Sequence, residues 1–428
     1  MNNTLFVHLP EIGGPDALAP RPFFPSQWLS YALGLIVVYP FLIASLRFRR
    51  LRQLHRKYPY TRETLGKMTD DEAFEIQKVV ATLEFPLIFA RSLQSALFKT
   101  YGIPSISHLL VKTNQFANPD TSLKRYTDTS ALVQEMIGNS PTSPRTYISL
   151  ARTRYLHSPY RASGKLLEDD MLYTLALLSW QPIRFIEQFE WRSLSDLERC
   201  AIGTFWKSLG DGLGISYKGL PSGETGFRDG IHWLEELQVW GEAYETKHMV
   251  PDMKNREMGD QTMSVLLYML PKPLHPVALQ FASFMIDDRL RKAMYYDPPT
   301  PFWSSFFSTF LVVRKFFLRY LSPPRPHCMR HSTYTEQADE NQRFFLTAWE
   351  AAPYYVKPTF WNRWGPGAWI TWGVFGRPVP GDNGDRYCPA GYKIEDMGPR
   401  HFEGKGKKTM DVTMEELKGF RTGKCPFH

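Results

Sequence analysis

Trp28-Leu-Ser-Tyr-Ala-Leu-Gly-Leu-Ile-Val-Val-Tyr-Pro-Phe-Leu-Ile-Ala-Ser-Leu46 carries no charge and only two serines. A bilayer core needs roughly 20 largely apolar helical residues, so this stretch is long enough to span one. Pro40 is tolerable there because a membrane span accommodates a kink. No second segment competes, since the apolar run around Phe302–Leu321 is broken by Arg314, Lys315 and Arg319. The reading is one anchor near the N-terminus, with everything that follows folded outside the bilayer.

Charge orients the anchor. Residues 47–67 hold eight basic side chains against Glu63 alone, whereas residues 1–26 carry Glu11 and Asp16 against Arg21. Positive charge gathers on the cytosolic side, which predicts a lumenal tail (1–26), an anchor (27–47) and a basic juxtamembrane segment (48–67). A cleaved signal peptide fits less well, because the basic cluster follows the apolar run. Directly behind a span, such a cluster meets anionic lipid rather than nucleic acid. Cys200, Cys328, Cys388 and Cys425 are widely spaced and form no CxxC pair. That argues against a disulfide framework or cysteine zinc site and suits a reducing cytosolic face.

Behind the anchor the periodicity is helical almost throughout, predicting an all-α domain over 68–321. Thr69-Asp-Asp-Glu72 and Ser195-Asp-Leu-Glu198 are capping boxes, and Ser143-Pro144 places an N-cap before a first-turn proline. Amphipathic stretches follow at 227–248, 258–270, 275–296 and 302–321. Residues 322–344 are polar and proline-rich and read as a linker. In 345–428 tryptophans crowd between prolines and glycines. Packing on the domain and residence at a bilayer interface are both open for them. The tail reads as an irregular, aromatic-rich extension.

Few patterns carry chemistry. Nucleotide-binding glycine loops and a GxSxG elbow are missing, and His327-Cys-Met-Arg-His331 lies in the proline-rich loop rather than on a helix. His157 closes Leu150-Ala-Arg-Thr-Arg154-Tyr-Leu-His157, where a lone helical histidine is more often a satisfied core residue than a ligand. Upstream, Arg125 and Thr129 stand four apart on one helical face and could bind an anion, a haem propionate or bound oxygen together, although on spacing alone a solvated helix start is the better reading.

Taken together, Arg-x-x-x-Thr (125–129) and Arg-x-x-His (154–157) resemble the haem b rubber oxygenases, the latex-clearing proteins. The chain more closely resembles the ER-bound oxygenases of the mpaB type, known from fungal mycophenolic acid biosynthesis. The strings that carry this include Leu83-Glu-Phe-Pro86, Thr100-Tyr-Gly-Ile-Pro104, Arg125-Tyr-Thr-Asp-Thr129 and Ala201-Ile-Gly-Thr-Phe-Trp-Lys-Ser-Leu-Gly-Asp211. Tyr320-Leu-Ser-Pro-Pro-Arg-Pro326, Pro358-Thr-Phe-Trp-Asn-Arg-Trp-Gly-Pro366 and Arg421-Thr-Gly-Lys-Cys-Pro-Phe427 extend it to the end of the chain.

The resemblance implies a globin-like helical haem domain at the ER membrane. It implies oxygen-dependent cleavage of a C=C bond in the farnesyl chain of a prenylated, lipophilic small molecule. It makes His157 the proximal ligand of a haem b iron and Arg154 part of the haem surroundings. Arg125, Asp128 and Thr129 fall on the distal, catalytic side. Rubber oxygenases carry a lysine where Asp128 stands, and their distal glutamate has no match by spacing, which leaves Asp128 or His108 as the candidate acid–base group. A non-catalytic membrane scaffold and a non-haem iron hydroxylase are the rival classes. The first would purify without haem, and the second needs a histidine–carboxylate cluster that the spacing does not reveal.

Overall fold

A computed structural model describes residues 26–115 and 119–427. The expected lumenal tail lies outside the described residues except for Ser26. Helix α1 (Ser26–Arg47) runs unbroken through Pro40, and its apolar side chains from Trp28 to Val38, with Phe41 and Leu42, are exposed. No soluble core covers this helix, which is what a bilayer-facing anchor requires. Arg49–Lys57 forms α2, which carries the first part of the basic cluster.

Helix α3 (Asp70–Val79) opens on Thr69, whose hydroxyl accepts the Glu72 amide while the Glu72 carboxylate accepts the Thr69 amide. A π-helical turn at Val80–Glu84 then leads to α4 (Pro86–Thr100). Next come α5 (Pro104–Lys112), α6 (Pro119–Gly138) and α7 (Pro144–Ala162), the last capped by Ser143 with proline at its first position. Long α8 (Glu168–Phe189) precedes α9 (Asp196–Gly212), where Ser195 and Glu198 complete the second capping box. Both boxes satisfy amides that would otherwise lack partners.

The chain continues through α10 (Gly230–His248) and α11 (Met253–Leu266). The stretch 275–296 divides into α12 (His275–Met285) and α13 (Asp288–Ala293), because Asp287 accepts the Leu290 amide and starts a new helix. Helix α14 spans Pro301–Tyr320. Beyond it lie the short α15 (Phe360–Trp364) and α16 (Pro366–Trp369), and finally α17 (Lys407–Phe420).

Among the described residues there is no β-sheet, only three isolated bridges within 334–392. The fold is all-α. Its core pairs α4 with α8, α3 with α9, and α9 with α10, around fully buried Phe85, Phe205, Trp206 and Trp233. Large aromatic side chains of this kind dominate the burial term. At the α9–α10 crossing Gly203 meets Gly230 so closely that a Cβ on Gly203 would lie 2.1 Å from the Gly230 carbonyl oxygen.

Much of the tail packs on the helical body. Tyr354, Tyr355, Tyr387, Tyr392, Ile394 and Met397 share a buried cluster with Leu132 of α6 and Leu156 of α7. Helix α17 packs along α7. Trp361, Trp364, Trp369 and Trp372 stay exposed.

Candidate active site

Helices α6 and α7 pack side by side, and this contact brings Arg125 to His157. His157 lies one turn from the end of α7. Burial, then the charge of Arg125, then that of Arg161 push its pKa down from 6.5 to about 4. Neutral imidazole is the form that binds a metal. Arg125 also acts on Tyr101 at the end of α4, whose phenol burial pushes up to about 12. Among the described residues, the Tyr101 hydroxyl, the Arg125 guanidinium and the His157 ring make no side-chain hydrogen bond. All three are half-buried, and Arg125 stands near each of the other two, so their free donors and acceptors are open there to a ligand or to water.

Tyr101 also faces a cleft between α4, α6, α11 and the tail segment 331–352, with about 1300 Å³ of empty space including its open mouth. Leu93, Leu97, Phe98, Leu266 and Ala351 give it an apolar lining, to which Thr129 contributes from α6. Thr129 spends its hydroxyl proton on the carbonyl of Arg125 at 2.9 Å, one turn back on its own helix. Its methyl and oxygen lone pair remain for an occupant.

The other site residues expected from sequence are placed differently. Asp128 is 2 % exposed and fully engaged. It accepts from Lys124 Nζ at 2.8 Å, from the Tyr355 hydroxyl at 2.7 Å and from the Gly398 amide at 3.2 Å. Burial pushes its pKa up while Lys124, Tyr355 and Arg125 pull it down. Arg154 turns toward α17 and pairs with Glu416 at 3.2 Å. His108 sits exposed on α5, 3.0 Å from Asp252, which caps α11.

Two residues near this pair escaped sequence reading, Arg161 beside His157 and Tyr101 beside Arg125. Arg161, one turn beyond His157, is held by Glu168 and by the carbonyls of Leu213 and Gly214. Its spacing of four from His157 was the available signal. Tyr101 lay inside the Thr100–Pro104 string without chemistry to mark it.

The described residues gather no group of three histidine, cysteine or carboxylate side chains that could hold a metal ion. A planar cofactor that asks the protein for one neutral imidazole and a cationic partner for its carboxylates fits what is present: His157 for the metal and Arg125 for negative charge, Arg161 being already paired with Glu168.

Residues 89–314 match the family described as ER-bound oxygenase mpaB/B′/rubber oxygenase, catalytic domain. The chain is 60 % identical over 408 residues to the ER-bound oxygenase mpaB′ of Penicillium brevicompactum, covering 95 % of this chain and 96 % of that one. It is 54 % identical to mpaB of the same fungus over 378 residues, 88 % of this chain and 90 % of the relative. To mpaB of Penicillium roqueforti it is 66 % identical over 271 residues, 63 % of this chain and 91 % of that one. With its exposed apolar helix α1, its all-α body and these relatives, the chain belongs to the mpaB/B′ family of ER-bound oxygenases.

Proposed function

We propose that this protein is a haem b oxygenase of the ER membrane that uses dioxygen to cleave a C=C bond in the prenyl chain of a meroterpenoid, a farnesylated intermediate as in mycophenolic acid biosynthesis. The family supports the oxygenase chemistry and the ER location. The observation that carries the haem reading is the neutral, unpartnered His157 with Arg125 and Arg161 against it. The helical body is then a globin-like haem domain, and the basic residues of α2 set it on the cytosolic face with the N-terminal tail lumenal.

Haem held through one histidine supplies oxygen binding and redox chemistry. The chain's own residues do the rest. His157 is kept unprotonated and so available to iron at any physiological pH. Arg125 would compensate a haem carboxylate, Arg161 stays with Glu168, and Tyr101 presents a hydrogen-bond donor at the cleft. The apolar lining excludes water and aligns the alkene of a lipophilic chain, with Thr129 at its wall. Asp128 serves this arrangement as a positioning residue, fixing the tail through Tyr355 and Gly398 rather than moving a proton.

The test is an absorption spectrum of detergent-purified protein, as isolated and after dithionite with carbon monoxide. A near-stoichiometric Soret band that His157→Ala removes, together with alkene cleavage, is the expected result. A haem-free His157→Ala protein that still cleaves would overturn the assignment.

A further inference from the structure

Helix α14 is apolar on two sides. Phe307, Leu311 and Leu318 turn toward the protein, and Arg314 reaches the Glu190 carboxylate at 2.8 Å and the Phe189 carbonyl. On the 3.6-residue repeat the opposite side carries Phe302, Phe306, Phe310, Val313, Phe316 and Phe317, each at least half exposed. Lys315 and Arg319 fall off this face. A surface helix of a soluble domain shows water a polar face, so an uncharged outer stripe of five phenylalanines and a valine marks a contact. Helix α12 packs on the protein-facing side of α14, with Phe281 and Phe284 against Phe307 at 5.1 and 5.6 Å, and adds exposed Leu279 and Phe281 beside it.

The anchor identifies the occupant. Helices α1 and α14 pack together. The Tyr39 hydroxyl donates to the Leu321 carbonyl at 2.9 Å, and Arg47 donates to the Ser322 carbonyl at 3.0 Å. Tyr39 precedes Arg47 by eight residues, about 12 Å along a helix at 1.5 Å per residue. If Arg47 marks the headgroup level, the C-terminal end of α14, whose adjacent carbonyls 321 and 322 take both bonds, stands between that level and the hydrocarbon around Tyr39. Three basic residues and one protein-facing side prevent α14 from spanning, so lying in the interface is the geometry left to it.

We propose that α14, with α12, is a second, in-plane membrane contact: the domain is set into the cytosolic leaflet by this face rather than hanging from α1 on a basic tether. The inference rests on the reading of α1 as an anchor.

Spin labels test it in the full-length protein reconstituted in phosphatidylcholine–phosphatidylserine vesicles. Phe310→Cys and Val313→Cys are labelled in a Cys328→Ser background, with Val37→Cys as the anchor reference and Val412→Cys as an exposed position on α17. The unsubstituted background subtracts label at the remaining cysteines. Labels at 310 and 313 should favour collision with oxygen over an aqueous nickel chelate, as at 37 and unlike 412. Nickel access at 310 and 313 equal to that at 412, with 37 still in lipid, would overturn the proposal and leave the anchor standing. Exclusion of both reagents would mean that protein covers the face, also overturning it. Nickel access at 37 would remove the anchor and this inference together.

Discussion

His157 on α7 is kept neutral down to a pKa of about 4 by its burial first and next by the charge of Arg125 on the neighbouring α6, with Arg161 adding to it. A cation beside a base that must stay unprotonated is a simple way to secure a metal ligand. In the haem reading proposed above, the same cation would compensate the acidic edge of the group that His157 holds.

Its consequence for stability has a definite sign. In the haem-free folded chain His157 protonates near 4, and in the unfolded chain near 6.5. Between these values the unfolded state binds more protons, so the contribution of His157 is complete above pH 6.5 and is lost as pH falls toward 4. In His157→Gln that portion disappears. Calorimetry of the haem-free proteins should therefore show a smaller fall in Tm between pH 7 and 4.5 for the variant than for the parent. Equal falls would mean that the ring is already charged in the fold.

The two arginines of the sequence motifs should separate. Arg125→Leu is expected to weaken haem retention about 10- to 100-fold, the usual cost of losing a supporting contact around a metal site. It should also raise the His157 pKa in the haem-free protein, readable by NMR. Arg154→Ala breaks only a half-exposed pair with Glu416, worth about 0–1 kcal/mol, and should leave the Soret band in place.

Asp128→Asn tests positioning against proton transfer. Removing the charge leaves Lys124 with Glu403 at 3.6 Å as its remaining carboxylate. A cost of about 3 kcal/mol, at the low end for breaking a buried pair, is expected. Thermal denaturation should register that loss while the cleavage rate per bound haem stays near the parent value. A large loss of rate at full haem content would instead give Asp128 a chemical role.

Gly203→Ala should destabilise the core by about 1–3 kcal/mol, since the added methyl runs into the Gly230 backbone rather than into a movable side chain. Denaturant titration measures this. An unchanged midpoint would show that α9 and α10 can separate without penalty.

What the sequence made legible was local. Thr69, Ser143 and Ser195 announce helix starts because an N-cap needs only residues two or three positions away. The anchor is legible for the same reason, as a property of one contiguous stretch. The break at Asp287 escaped because the apolar period carries on through it. Arg154 and Asp128 could not be placed, as their partners Glu416, Tyr355 and Gly398 lie more than 220 residues away. Their motif spacing is compatible with facing a cofactor or the tail, and only long-range packing decides. Tyr101 and Arg161 gain meaning from what stands across from them, which no periodicity records.

Residues 421–427 bear on how the molecule is made. Arg421 is 3 % exposed and donates to the Ser208 hydroxyl at 3.0 Å and to the Pro141 carbonyl, while its own carbonyl accepts from Tyr147. The amides of Asp70 and Asp71, at the first turn of α3, bond to the carbonyls of Lys424 and Gly423. The first turn of α3 therefore takes two of its amide partners from residues more than 350 positions further along the chain. A nascent chain already threaded into the membrane by α1 keeps the surfaces that this segment covers open until residues 421–427 emerge. A stop or frameshift ahead of Arg421 would then act as a folding lesion rather than as a trimmed tail.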